Sequence, residues 1–167
     1  MTRPNRLALG AYGVAAAIIV LDQLSKAWIL YGLHLREVGR IELSPIFDLS
    51  FVLNTGVSFG LFSGGEARWA LTLFSIAVAV VLALWVRQAD RRLFAAAVAL
   101  IIGGALGNVI DRIRFGGVVD FLDFSGLMFP WVFNIADSAI SIGVALLLLD
   151  SVLAERREKV GERAENA

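Results

Sequence analysis

Leu93-Phe94-Ala95-Ala96-Ala97-Val98-Ala99-Leu100-Ile101-Ile102-Gly103-Gly104-Ala105-Leu106-Gly107-Asn108-Val109-Ile110 is a run of 18 residues without a charge, set between Arg91-Arg92 and Asp111-Arg112. As an α-helix at about 1.5 Å per residue it approaches the roughly 30 Å of a bilayer's hydrocarbon core. Three further stretches have the same character. Leu7 to Tyr31 carries Asp22 and Lys26 near its far end, Trp69 to Val86 is uncharged and stops at Arg87, and Phe133 to Leu153 has Asp137 near its start and Asp150 near its end. The chain therefore reads as a membrane protein with four spans.

Composition agrees. Of 167 residues, 58% are hydrophobic before glycine is counted, and the mean hydropathy is +0.76. On the scale where soluble domains average 45–50%, the figure is roughly 66%. A soluble domain of this length exposes too much of itself to hide that apolar surface. Arg3 and Arg6 before the first apolar run resemble the start of a signal peptide. However, that run leads into Asp22-Gln23-Leu24-Ser25-Lys26 with no small-x-small site, so it is read as an uncleaved first span. With four spans, nine basic residues lie on the side of both termini and six on the other, which places the termini in the cytoplasm.

The counts exclude several chemistries. Lys+Arg and Asp+Glu are both 15, so no basic excess points to nucleic acid. There is no cysteine and a single histidine, His34, which removes thiolate nucleophiles, disulfides and His-rich metal sites. Catalysis is left to Asp, Glu, Ser, Thr, Lys, Tyr or a non-protein group.

The two far-side connections are long. Ile41-Glu42-Leu43 and Ile46 to Leu53 suggest short strands, and Asn54-Thr55-Gly56 and Ser63-Gly64-Gly65 read as turns. Arg112 to Val132 is rich in Gly and Phe and reads as a loop. No repeat or second domain is evident, so 1–167 is taken as one integral-membrane domain, with a frayed, charged helix over 155–167.

Ionisable groups in spans are costly and are functional candidates by default. Here they cluster: Asp22, Lys26, Asn108, Asp111, Arg112, Asn134 and Asp137 all fall at the far-side ends of spans, with Asp120 and Asp123 in the segment joining the last two. Asp150 and Arg87 sit at the opposite interface, where a lone charge can snorkel. Asp22 and Lys26 are four apart on one face and read first as a structural ion pair, or else as a group that positions a substrate's backbone. Asn108, Asp111 and Arg112 share a face suited to helix-to-helix hydrogen bonds or to a cap on the third span, and Arg112 could also hold a loop carboxylate. Gly103, Gly104 and Gly107 suit close helix packing better than phosphate binding, because no strand precedes them. Ser25, beside Lys26 but on a different helix face, makes a poor nucleophile; Ser138 and Ser141 read as helix-contact residues and His34 as a solvated loop residue.

Asp120, in Val118-Val119-Asp120-Phe121, and Asp137, in Phe133-Asn134-Ile135-Ala136-Asp137, are separated by a sixteen-residue loop and can meet. Two carboxylates in contact share a proton, giving one acid and one base able to activate water. Alternatively each caps a helix or pairs with Arg112 or Arg114.

Five blocks in order resemble the bacterial lipoprotein signal peptidases, the type II signal peptidases: Asp22 to Lys26; Asn54-Thr55-Gly56-Val57-Ser58-Phe59-Gly60; Gly103 to Asn108 through Asp111-Arg112; Val118 to Phe121; and Phe133 to Asp137. The resemblance runs from about Leu21 to Leu149. It implies an aspartic endopeptidase of the bacterial inner membrane that cuts prolipoproteins on the N-terminal side of a diacylglyceryl-modified cysteine. It also implies catalytic aspartates at Asp120 and Asp137, supported by Asn54, Gly56, Asn108, Arg112, Asn134, Asp22 and Lys26, and no metal or organic cofactor. The fold it implies is all-α in the membrane, with four transmembrane helices and a small extracytoplasmic β-containing cradle at about 36–62, between the first and second spans. The implied partners are prolipoproteins and membrane lipids, for a chain acting as a monomer. Val57 and Ser58 stand where alanine is usual, and the loop between the aspartates is slightly short. A transporter would instead spread polar groups through the bilayer depth, whereas the second span holds only Thr72 and Ser75. A structural subunit would tolerate neutral isosteres at Asp120 and Asp137.

Overall fold

A computed structural model describes residues 5–56, 66–129 and 131–165. Val57, Ser58 and the turn expected at Ser63-Gly64-Gly65 lie outside them. Four helices are long and apolar enough to cross a membrane. Helix α1 (Arg6–Ala27) continues through a π-turn, Trp28–Gly32, and is followed by a short α2 (Leu35–Val38). Strands β1 (Arg40–Ser44) and β2 (Phe47–Asn54) come next, then α3 (Glu66–Trp85) and α4 (Arg92–Phe115). Strands β3 (Val118–Asp123) and β4 (Val132–Phe133) precede α5 (Ile135–Glu165).

The opening stretch forms the middle of the bundle. Two-thirds of α4's apolar window is buried, against 17% to 22% for the other three spans. Its small residues let neighbours come close. A Cβ at Gly103 would sit 2.8 Å from the Ala15 carbonyl oxygen on α1, one at Gly107 would sit 2.7 Å from an Asp22 carboxylate oxygen, and one at Gly104 would strike the Ala136 carbonyl of α5. Packing, not phosphate binding, accounts for these glycines, as membrane helices commonly use small residues. The end of the bundle away from the sheet is tied by Tyr12, whose hydroxyl donates to the Ala83 carbonyl at 2.7 Å, and by an Arg91–Asp150 ion pair at 2.9 Å. Asp150 is thus not the lone snorkelling charge expected: it is buried and pairs with Arg91 because α4 and α5 bring their ends together there.

On the far side the strands make one antiparallel sheet in the order β1-β2-β3-β4. The sequence places strands in the first connection, and β1 and β2 form there. The sheet reaches further, however, since the segment expected to be a loop between the last two spans supplies β3 and β4. Val52 opposes Asp120, Leu53 opposes Val119, and Asn54 opposes Val118. Ile29, Leu35, Leu49 and Phe121 form a second apolar core beneath this sheet, apart from the alanine-rich core of the bundle.

Two boundaries also move. Helix α4 runs to Phe115 rather than Ile110, carrying Asp111, Arg112 and Arg114 on its last turns, and Gly116 at φ +81° ends it in the left-handed conformation. The charged tail is helical, since α5 continues to Glu165.

Candidate active site

Asp120 lies mid-strand on β3, fully buried, on the sheet face that it shares with its cross-strand partner Val52. Asp137 occupies the third position of α5. There it takes part in a reciprocal cap: its N–H donates to Asn134 Oδ1 at 2.9 Å, and its own carboxylate accepts from the Asn134 N–H at 3.4 Å. The helix-cap alternative for Asp137 is therefore half of the answer. Only one carboxylate oxygen serves the cap, and the other accepts the Asn108 amide at 2.8 Å.

Three asparagines organise the pair. Asn134 Nδ2 donates to Asp120 Oδ1 at 2.6 Å and to Asn108 Oδ1 at 3.2 Å, while Asn54 Nδ2 donates to Asp120 Oδ2 at 3.0 Å. Asn54 in turn accepts the Gly56 N–H at 2.9 Å, in a turn that Gly56 makes possible with φ +76°. Asn108 and Asn134 thus join the two carboxylates through neutral amides. Arg112 lines the same crevice as Asn108 and Asp137, a cavity of about 260 Å³ between α3, α4 and α5. It forms no ion pair within 4 Å among the described residues, and neither Arg112 nor Arg114 neutralises either aspartate by such a contact.

Behind this pair lies a second carboxylate group. Lys26 Nζ is 2.8 Å from Asp22 and 2.7 Å from Asp111, with all three side chains buried. Asp22 also accepts the Ala136 N–H at 3.0 Å, and Asp111 accepts the Val119 N–H at 3.0 Å. Gln23 donates to both carboxylates, at 3.2 and 2.9 Å. Each hydrogen bond from a backbone N–H fixes an element that carries a catalytic candidate: Ala136 precedes Asp137 and Val119 precedes Asp120. The ion-pair reading of Asp22 and Lys26 is what the geometry has. Asp111 and Gln23 belong to the same unit, and only their spacing from Asn108 and Asp22 hinted at it. Lys26 reaches the front pair through Asn108 Oδ1 at 3.3 Å.

Asp120 and Asp123 lie on one strand but, three residues apart, they point to opposite faces. Burial raises the Asp120 carboxyl to about 6, with the neighbouring Asp137 charge adding to the effect. Asp123 instead accepts the Ser50 hydroxyl at 2.6 Å and the Ser125 N–H at 2.9 Å, and the hydroxyl holds it below the usual carboxylate range. It does not join the cluster where the sequence placed it. Ser138 hydrogen-bonds back to the Asn134 carbonyl and Ser25 to the Asp22 carbonyl, and His34 is exposed.

Two cavities meet at Asp137: the crevice described above and an aromatic groove of about 660 Å³ formed by Phe124, Phe129, Trp131, Phe133 and one face of α5. In sequence the groove's only sign is the density of aromatics in the last far-side segment.

A buried aspartate on β3 and a half-buried one at the start of α5, both held by amides, have the geometry of a hydrolytic centre. The family model described as signal peptidase (SPase) II matches residues 14–153. The chain belongs to the signal peptidase II family. It is therefore an aspartic endopeptidase of the membrane. Lipoprotein signal peptidase of Caulobacter vibrioides is 56% identical over 151 residues, covering 89% of each chain. That of Rhodopseudomonas palustris is 47% identical over 150 residues, covering 84% of this chain and 92% of the relative. The fold is also similar to a bacterial membrane enzyme structure determined by the in meso method at 2.3 Å resolution, with a TM-score of 0.76, 27% identity, and coverage of 95% of this chain and 96% of the other.

Proposed function

We propose that this signal peptidase II family member removes the signal peptide from diacylglyceryl-modified prolipoproteins, cutting on the N-terminal side of the lipidated cysteine, with Asp120 and Asp137 as its catalytic pair. The observation that carries this reading is that both carboxylates are bound by neutral amides, with no cation within ion-pair distance among the described residues. Such a pair retains a shared proton. Asp120, raised to about 6 by burial and then by the Asp137 charge, is the better holder of that proton. Asp137, the other member of the pair, then serves as the base.

In the reaction a water between the two carboxyls gives a proton to Asp137 as its oxygen bonds to the scissile carbonyl carbon. Asp120 gives its proton to the carbonyl oxygen. The tetrahedral diol then collapses, with one proton returning to Asp120 and another passing from Asp137 to the leaving amine, so the pair is restored. The Asn54 and Asn134 amides hold Asp120 in place during this exchange, and Asn108 does so for Asp137. Gly56 shapes the turn after Asn54, Asp22 and Lys26 hold the backbone around Asp137, and Arg112 lines the entry crevice.

The aromatic groove offers apolar walls next to Asp137 for a lipidated or helical substrate. The peptide bond reaches catalytic depth while acyl chains stay among hydrocarbon. The basic residues favour both termini in the cytoplasm and the pair at the periplasmic face of the inner membrane, in one chain acting as a single domain without metal or cofactor. The test is processing of a diacylglyceryl prolipoprotein by Asp120→Asn and Asp137→Asn. Precursor accumulation with each variant correctly inserted is expected; normal cleavage by either removes the assignment.

A further inference from the structure

A cavity of about 360 Å³ on the outer face lies between the end of α1, α2, β2 and the end of α4, and the catalytic mechanism makes no use of it. It is behind the catalytic strands. Leu53 and its register partner Val119 line it, whereas Val52 and Asp120 turn to the other face. The polar residues at its rim are Tyr31, His34, Arg36, Glu37 and Arg114.

Its rim carries a net positive charge. Arg36 and Arg114 make no ion pair within 4 Å among the described residues. Arg36 lies over the Phe51 ring at 6.0 Å and Arg114 over Phe115 at 4.9 Å, and the hydrogen bond of Arg114 goes to the neutral Gln23 amide at 3.3 Å. Two guanidinium groups against one carboxylate, Glu37, on apolar walls suit a singly charged phosphate better than a neutral ligand. His34 turns the chain at φ +50°, a conformation uncommon outside glycine, and brings its imidazole to the same rim.

The depth and the approach identify the bearer of that phosphate. Leu21, Leu24, Trp28 and Tyr31 are each more than half exposed and recur at helical spacing, making an unpartnered stripe up α1 that ends at the cavity. Trp and Tyr at such a position mark the headgroup level of a bilayer. An apolar track that rises to a cationic recess matches a molecule with acyl chains below and a phosphate above.

We propose that this cavity is a subsite for an anionic glycerophospholipid, its phosphate held by Arg36 and Arg114 and its acyl chains lying along the Leu21–Tyr31 stripe. The test uses the full chain reconstituted in phosphatidylcholine nanodiscs with phosphatidylglycerol as a minor component, and mass spectrometry of the lipid retained per protein. The wild type retains phosphatidylglycerol in preference. R36Q/R114Q loses that preference roughly tenfold or more, and R36K/R114K keeps most of it. The single R36Q, at an exposed position, gives an intermediate loss should the double variant fail to fold. Retention unchanged in R36Q/R114Q, or lost to the same degree in the exposed cytoplasmic pair R156Q/R157Q, overturns the proposal. So does wild-type protein that binds inorganic phosphate or an acidic peptide in this cavity but shows no lipid preference.

Discussion

The Asp22–Asp111 and Asp120–Asp137 carboxylate groups are linked through Asn108 and are built differently. Asp22 and Asp111 are bridged by Lys26, and each also accepts a backbone N–H and the Gln23 amide. Asp120 and Asp137 receive only amide donors: Asn54 and Asn134 for the first, Asn108 and the Asn134 backbone for the second. Both oxygens of Asp22 and of Asp111 are thereby engaged, which holds this group in place. A carboxylate pair without a cation keeps a mobile proton. On the proposed function the rear group is structural and the front one chemical, with Asn108 touching both.

The comparison can be broken most forcefully at Lys26. Lys26→Met leaves two buried carboxylates without their cation, and a loss of about 3–5 kcal/mol in stability is expected, read as a lowered unfolding midpoint in detergent micelles. A midpoint near the wild type would make the rear group dispensable. Asn134→Ala comes next. It strips one amide donor from Asp120 and the side-chain acceptor from the Asp137 N–H, leaving an acceptor and a donor unsatisfied at about 1–3 kcal/mol each. Processing should slow roughly tenfold to a hundredfold, and a rate within twofold of wild type would contradict the role of the amide.

A subtler test uses pH. The working pair holds one proton, so kcat/KM falls as pH rises through the Asp120 titration at about 6, because the free enzyme then loses its acid. Asn54 donates to Asp120 and favours its ionised form, so Asn54→Leu shifts that fall to higher pH, by up to about one unit. A shift to lower pH, measured with a soluble reporter substrate across pH 4 to 9, would reverse the sign of the argument. The smallest effect belongs to Ser138→Ala. This hydroxyl only bonds back to the Asn134 carbonyl, and both rate and stability should stay within about 0.5 kcal/mol of wild type.

Much of this was legible in sequence because each signal was local. Four long apolar runs mark the four spans, and Asn134-Ile135-Ala136-Asp137 carries its own capping pattern. Two things escaped. Val118 to Asp123 is buried on both faces, so β3 lacks the alternation that betrays a strand, and its neighbours Gly116-Gly117 made it look like a loop. In sequence the third span ends at Ile110, because Asp111 and Arg112 look like a polar boundary, whereas α4 runs to Phe115. Lys26, from a helix 85 residues earlier, neutralises Asp111 and lets the helix continue. For the same reason the site residues were nameable while their division into two groups was not. That division depends on which carboxylate Lys26 reaches, a fact of packing between α1 and α4.

The most direct measurement replaces one aspartate at a time by asparagine, at Asp22, Asp111, Asp120, Asp123 and Asp137, and records for each variant both the processing rate and the unfolding midpoint. Asp120→Asn and Asp137→Asn should lose on the order of 10²- to 10⁴-fold in rate while unfolding at or above the wild-type midpoint, and Asp22→Asn and Asp111→Asn should lose stability first. Full processing by Asp120→Asn or Asp137→Asn, or a stable but inactive Asp22→Asn, would contradict the division on which the account rests.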